Sequence, residues 1–239
     1  MANTFFRFKQ FTVHQEKAAM KVCTDACLFG AWTLRHAPIH QVQTVLDIGT
    51  GTGLLSLMLA QESNAIFDAI EIDADAANQA GINFNNSGWN KRLNLHQTAV
   101  EDFMASHSQQ YDLVICNPPF FNKQLNSQQT QRNLAMHDAG LSLSTLAECM
   151  QKALNPNGIG AVLLPWYRAE EWKVIAKKAG LSCIKETAVN QTDVHPHFRS
   201  MMLMSLNEGL YHFDQINIKE NNVYGAAFID LLKPYYLAF

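Results

Sequence analysis

The feature that most constrains the fold of this chain is an apolar segment followed by closely spaced glycines and a helical pattern. Residues 44–48 have the composition of a buried strand, and residues 54–60 have the apolar spacing of a helix. Between them stand Gly49, Gly51 and Gly53, which permit a tight turn and let the backbone approach a ligand. The G-x-G-x-G spacing is not that of dinucleotide binders, and no Lys-Ser/Thr pair follows for a triphosphate. The segment therefore predicts a βα unit with a ligand-binding turn.

Acidic residues follow the next two predicted strands. Glu71 lies near the end of the second strand, about twenty residues past the glycines, where an acid is placed to hydrogen-bond ribose hydroxyls. Asp73 is expected to cap the next helix. Asp102 follows the third strand, where it would either accept from an adenine amino group or act as a first-turn acid that favours the helix dipole. Both interpretations of Asp102 stay open at this point.

The fourth predicted strand, residues 111–116, runs into Asn117-Pro118-Pro119-Phe120. Because consecutive prolines cannot donate to a sheet ladder, the strand must end there in a rigid turn. An amide beside bare carbonyls can accept both protons of an exocyclic amino group, while Phe120 stacks on the ring that bears it. A plain strand-ending turn with a buried Phe is an equally good interpretation of this stretch alone.

Strand-like and helix-like segments alternate along the chain, which predicts an α/β fold with a parallel sheet and right-handed crossovers. Since 48% of the residues are hydrophobic, the core is ample for one large domain. We divide the chain into a basic and aromatic N-terminal extension, residues 1–40, packed on a domain formed by residues 41–239. Residues 122–140 are polar and are expected to form a long loop.

The N-terminal extension carries a surplus of basic residues, although the net charge of the chain is −3. Such an arm would suit a phosphate-tracking surface, but a solvated mixed surface explains the charge equally well. Lys21 and Asp25 could touch the polar ends of a ligand. Thr24 or Asp25 as the cap of a helix is the stronger interpretation from sequence alone.

The cysteines and histidines favour structural roles. Five cysteines without paired C-x-x-C spacing argue against disulfides and a zinc site, and they favour a reducing cytoplasm. Cys116 is better explained as a packed core thiol than as a nucleophile. His195 and His197 favour a surface turn over a metal pair. We expect no metal, no membrane span and no signal peptide.

Taken together, the segments Asp47–Gly53 and Asn117–Phe120 resemble the cofactor loop and the (N/D)PP(Y/F) motif of class I S-adenosylmethionine-dependent methyltransferases. The resemblance implies a Rossmann-like fold with helices on both faces of a mostly parallel seven-stranded sheet, whose last two strands form an antiparallel hairpin. It also implies S-adenosyl-L-methionine as the cofactor. The cofactor neighbours carried over by the resemblance are Lys21, Asp25, Asp47, Gly49, Gly51, Gly53, Glu71, Asp102 and Asn117.

A closer resemblance is to the bacterial tRNA1(Val) adenine N6-methyltransferases, through residues 8–11, 20–22, 24–25, 28–32, 47–49, 51, 53–55, 58–61 and 117–119. It implies methylation of adenine 37 in the anticodon loop of a tRNA, by a cytoplasmic protein that we expect to be a monomer. Asn117 and Pro118 would hold the amino group with its lone pair toward the methyl group, and Phe120 would stack on the base. A guanine N2-methyltransferase of RNA, a protein glutamine methyltransferase and a nucleoside-binding module without turnover remain alternatives.

Overall fold

The computed structural model describes residues 3–17, 20–119 and 141–239, and a nine-stranded sheet forms its centre. A separate two-stranded hairpin precedes that sheet. The strands in chain order are β1 (Phe5–Arg7), β2 (Thr12–His14), β3 (Thr44–Ile48), β4 (Ile66–Glu71), β5 (Leu93–Gln97), β6 (Tyr111–Cys116), β7 (Leu154–Pro165), β8 (Ser182–Thr192), β9 (His197–Ser205), β10 (His212–Glu220) and β11 (Val223–Tyr224).

The central sheet has the order β11-β10-β8-β9-β7-β6-β3-β4-β5. The five strands β3 to β7 pair with one another in parallel. Strand β9 lies between β7 and β8 and is antiparallel to both. The seven expected strands and their antiparallel last hairpin are therefore confirmed. The sheet continues beyond them, since β10 pairs in parallel with β8 and β11 pairs antiparallel with β10.

Helices cover both faces of the sheet, as the alternation of elements predicts. In the described residues they are α1 (Thr24–His36), α2 (Leu54–Glu62), α3 (Ala74–Asn85), α4 (Val100–Ser106), α5 (Leu143–Ala153), α6 (Ala169–Lys178) and α7 (Ala226–Leu232). Side chains alternate between faces along a strand, so β6 sends Leu113 and Ile115 into one core and Val114 and Cys116 into the other. The first core lies under α1, α2, α3 and α7, and the second under α4, α5 and α6.

The N-terminal segment packs closely against the C-terminal tail. The rings of Phe8 and Phe11 lie 4.5 Å apart and are buried. The Nζ of Lys9 donates to the carbonyl oxygens of Lys233 and Phe239 at 2.6 and 2.7 Å. Helix α1 is itself part of the first core, since Trp32 is 1% exposed. The boundary at residue 40 stays a prediction.

The parallel strands β3 to β6 bring their carboxyl ends to one edge of the sheet, where ligands bind in open α/β folds. The glycine turn, Glu71, Asp102 and Asn117 all follow these ends. No helix in the described part of the chain is long and apolar enough to cross a membrane.

Candidate active site at the carboxyl edge of the sheet

The glycine turn folds tightly back on the neighbouring strand. The backbone amides of Gly49 and Thr50 both donate to the carbonyl of Ile70 at 2.9 Å. Gly49, Gly51 and Gly53 all have positive φ, which confirms that the turn requires glycine. A Cβ added at Gly49 or Gly51 would meet nothing within 4 Å, so bare backbone faces open space at these two positions.

Gly53 has a different role from the other two glycines. It is the N-cap residue of α2, with a φ of 83°. A Cβ at this position would lie 2.4 Å from Cε1 of Phe84 on α3. This glycine therefore permits the close packing of α2 against α3, and its expected contact with the cofactor stays a prediction.

Asp47, at the end of β3, is fully buried beneath the turn. Its Oδ2 accepts from the hydroxyls of Thr50 and Ser56 at 2.6 and 2.7 Å. Its Oδ1 is also buried and has no hydrogen-bond partner among the described residues. Burial raises the pKa of the Asp47 carboxyl to about 6, against the smaller lowering effect of the two hydroxyl donors. One oxygen thus holds the turn closed, and the other is buried without a partner among the described residues.

Glu71, at the end of β4, braces the turn from the other side. Its Oε2 accepts from the amide of Gly51 at 2.8 Å, and its Oε1 accepts from the amide of Asp73 at 2.9 Å. The ribose contact expected for Glu71 stays a prediction, and each carboxylate oxygen retains a second lone pair for it. The side chain of Asp73 accepts from the amide of Ala76 at 2.8 Å, so the expected cap of α3 is confirmed.

Asp102 lies in the first turn of α4 with its side chain exposed. This is the position that favours the helix dipole. An exposed carboxylate at this edge is also open to a ligand, so its adenine contact stays a prediction.

Asn117 and Pro118 directly follow β6, as the proline argument requires. Asn117 is half-buried, and its Oδ1 is buried with no hydrogen-bond partner in the part of the chain that the structure describes. An unpaired buried carbonyl is costly, which is a reason to expect a donor at this position. Phe120 lies outside the described residues, as does the expected loop of residues 122–140.

The thiol of Cys116 is fully buried, and burial raises its pKa well above the ordinary value. The expected core role is confirmed. No cluster of three or more His, Cys, Asp or Glu side chains in the described ranges could hold a metal. The ring nitrogen Nδ1 of His195 lies 2.6 Å from Oγ1 of Thr192, and that of His197 bonds to Asn190.

The segment before α1 places Lys21 and Asp25 differently from each other. Lys21 is exposed, and its Nζ donates to the carbonyl of Asn3 at 3.2 Å. Asp25 is buried in the first turn of α1 and pairs through Oδ2 with Nε of Arg199 at 2.7 Å. The expectation that Thr24 or Asp25 caps this helix is wrong. The N-cap residue is Cys23, without a side-chain hydrogen bond, and Asp25 lies inside the first turn, where its Oδ1 accepts from the amide of Ala26 at 3.1 Å.

Arg199 is the residue of this region that the sequence did not indicate. It lies 174 positions from Asp25, on the antiparallel strand β9, and no motif surrounds it. An acid in the first turn of a helix is already explained by its favourable interaction with the helix dipole. The sequence therefore held no signal for a pairing of Asp25 with Arg199.

Comparison with known proteins agrees with this geometry. A family described as "Methyltransferase small domain" matches residues 30–145. The chain is 39% identical over 99% of both sequences to a tRNA1(Val) (adenine(37)-N6)-methyltransferase of Cytophaga hutchinsonii. It is 40% identical to the protein of the same name from Flavobacterium psychrophilum, over 97% of this chain and 99% of that one.

Among solved structures, the fold is similar to that of a protein described as a predicted O-methyltransferase from Agrobacterium tumefaciens. The TM-score is 0.68 at 14% identity, over 88% of this chain and 96% of that chain. At that identity the likeness shows the fold alone, and that fold is the class I methyltransferase fold. Because two relatives of that name match the chain at 39% and 40% identity over nearly their whole length, the chain belongs to the tRNA1(Val) (adenine(37)-N6)-methyltransferase family.

Proposed function

We propose that this protein transfers a methyl group from S-adenosyl-L-methionine to the exocyclic N6 amino group of adenine 37 in the anticodon loop of tRNA1(Val). The observation that carries the proposal is the buried, unpartnered Oδ1 of Asn117, on the same sheet edge as the bare glycine backbone. The relatives, matched over nearly their whole length, support the substrate. No observation on the described residues favours guanine or a protein amide instead.

The residues present fit the cofactor. The open backbone at Gly49 and Gly51 forms a cradle that a Cβ would fill. The carboxylate of Glu71 supplies acceptors for ribose hydroxyls, and Asp47 holds the glycine turn closed from beneath. We assign Lys21, Asp25 and Asp102 to the same cofactor neighbourhood as part of the proposal.

When bound, S-adenosyl-L-methionine supplies an electrophilic methyl group on a sulfonium. The protein's contribution is to orient the amine. The Oδ1 of Asn117 and the carbonyl of Pro118 accept the two amino protons, so the nitrogen lone pair faces away from them, toward the methyl group. Phe120 stacks on the base, which must leave its own stack to enter. The gain comes from positioning, and no covalent intermediate with the protein is required.

The experiment that tests the proposal is methylation of total RNA from a strain lacking this gene, using purified protein, radiolabelled cofactor and nucleoside digestion. We expect label in N6-methyladenosine from the tRNA fraction. Asn117→Ala should lower kcat about 10²- to 10³-fold, as for loss of other preorganised polar groups at a reacting centre. Asn94→Ala, at an exposed asparagine on β5, is the matched control and should leave kcat unchanged.

Two outcomes contradict the proposal. Label in N2-methylguanosine would keep the fold and the mechanism but overturn the substrate. An absence of RNA label, with the cofactor still bound, would point to a protein substrate or a binding role. The proposal includes action as a monomer in the cytoplasm, which the sedimentation of the purified protein and the location of a tagged copy would test.

A further inference from the structure

A concave site lies on the β7 side of β6, away from the glycine turn on β3. It is a cavity of about 450 Å³ at the carboxyl end of β7 and the start of β9. Its lining includes Trp166, His197, Phe198 and Arg199. The roles assigned so far to the active-site residues leave this cavity without an occupant.

Sheet register sets the distance between the cavity and the reacting position. Strand β7 pairs with β6 through Val162 and Cys116, and then continues to Pro165, which pairs with Arg199 of β9. Neighbouring strands lie about 4.8 Å apart, and Pro165 lies three residues, about 10 Å along the strand, beyond Val162, so the cavity is about 11 to 14 Å from the end of β6. A planar group seated in it would be within reach of a nucleotide next to one held at Asn117.

The lining has the chemistry of a stacking site. The ring of His197 lies edge-on to the half-buried Trp166, with centroids 4.6 Å apart. The guanidinium of Arg199 lies 5.3 Å from the centroid of the Phe198 ring. Aromatic faces and guanidinium planes are the surfaces on which proteins stack the unpaired bases of single-stranded RNA.

Local backbone irregularity helps to form the lining. A register shift between Val189 and Asn190 of β8 stands opposite Phe198 on β9. Such bulges re-aim side chains and are common next to active sites. As a result, Phe198 packs toward the first core while His197 bonds to Asn190, and both still line the cavity.

We propose that this cavity takes the base of the nucleotide adjacent in the RNA to the methylated adenine. The inference rests on the proposed function and extends it, because it assigns a binding site for a base that undergoes no reaction. The Asp25 carboxylate pairs with Arg199 at the cavity, so the guanidinium charge is balanced from within the protein. Stacking, rather than phosphate attraction, is therefore the contribution we assign to this site.

The test is a double-mutant cycle between the protein and an anticodon stem-loop RNA. The RNA is prepared intact and with an abasic residue immediately 5′ or immediately 3′ of the target adenine. The protein variants are Trp166→Leu, which keeps an apolar side chain but removes the ring, and Trp166→Phe, which keeps a ring. Tyr224→Leu, at a part-exposed tyrosine on β11 far along the sheet, is the matched control.

We expect Trp166→Leu to raise KM for the intact RNA about 10-fold, which is the scale of one lost base stack, with kcat nearly unchanged. One of the two abasic RNAs should raise KM similarly with wild-type protein and have no further effect with Trp166→Leu. Trp166→Phe should restore most of the affinity, and Tyr224→Leu should change nothing. The Trp166 effect should be the same at low and high salt, since no counterions are released.

The inference would be overturned if the effect of Trp166→Leu on KM added to the effect of each abasic residue. It would also be overturned if Trp166→Leu changed kcat alone. If Trp166→Leu fails to fold by thermal melting, His197→Leu takes its place in the cycle. Failure of the proposed function is distinguishable, because wild-type protein would then methylate none of these RNAs. A wild-type enzyme that methylates the RNA without coupling to Trp166 would leave the function standing and refute the site.

Discussion

The two halves of the sheet edge are held together by different kinds of contact. On the glycine-turn side, Asp47 bonds to Thr50 and Ser56, three and nine residues away, and Glu71 bonds to Gly51, twenty residues away. On the β9 side, Asp25 pairs with Arg199 across 174 residues. The first arrangement is encoded in a short stretch of chain, whereas the second exists only once the whole sheet has formed.

This difference bears on function. A local, nearly self-contained turn suits a cofactor that many methyltransferases share. A surface assembled from distant segments can change with little effect on the turn, which suits recognition of one particular substrate.

The largest expected effect is on the glycine-turn side. Gly53→Ala should lower the free energy of unfolding by about 4 kcal/mol, because a Cβ would meet Phe84 at 2.4 Å in a residue with φ of 83°. Gly51→Ala is the matched control. It has positive φ but open space, so it should cost about 1 to 2 kcal/mol while still weakening cofactor binding. If urea denaturation gave equal losses of unfolding free energy for Gly53→Ala and Gly51→Ala, packing against Phe84 would be unimportant.

The next effect is a pH dependence that originates at Asp47. The pKa of its carboxyl is raised to about 6 in the folded protein, so the folded state keeps a proton that the unfolded chain releases at lower pH. The stability due to this proton is complete below about pH 4 and is lost as the pH rises through 6. The scale is about 3 kcal/mol between these limits.

Asp47→Asn removes this titration and is the variant that isolates it. The difference in unfolding free energy between wild type and Asp47→Asn should change between pH 5 and pH 7.5, in the sense that wild type loses stability relative to the variant. The variant must be compared with wild type because burial lowers the pKa of His36, and the stability that depends on His36 therefore rises with pH. A difference that is constant with pH would mean that Asp47 is ionised throughout.

The contrast also explains which features were predictable from sequence. The strands β3 to β9, the glycine turn, the cap at Asp73 and the core role of Cys116 each follow from a few neighbouring residues, and each is confirmed. The cap of α1 and the pairing of its first-turn acid with Arg199, from the far end of the chain, were not predicted. The cavity beside Trp166 depends on a bulge and on strand register, which no local pattern encodes.

On the β9 side, Arg199→Met should lower the unfolding free energy by about 2 kcal/mol. Breaking a fully buried ion pair costs more than this. The side chains of Arg199 and Asp25 are 25% and 11% exposed, so water replaces part of the lost interaction. Arg35→Met is the control, since its pair with Asp230 is 55% and 63% exposed and should contribute little. We expect Arg199→Met to raise KM for RNA through the cavity that Arg199 lines, and KM for the cofactor through Asp25, which loses its partner. Unchanged KM values for both would mean that the pair contributes to stability alone.

The smallest effect concerns Asn83, which joins the N-terminal hairpin to the glycine turn. Its Oδ1 accepts from the amide of His14 at 2.8 Å, while its Nδ2 donates to the carbonyls of His14 and Thr52 at 2.9 and 2.8 Å. Asn83→Ala should cost about 1.5 kcal/mol, because water can reach the part-buried backbone groups of His14, whereas the carbonyl of Thr52 is left buried without its donor. Cofactor affinity should fall a few-fold, since Thr52 lies in the turn, and limited proteolysis should cut the hairpin sooner. Unchanged cofactor affinity would mean that the glycine turn keeps its shape without support from the distant hairpin. That result would strengthen the distinction between the cofactor-binding side, which a short stretch of chain encodes, and the substrate-binding side, which distant segments assemble.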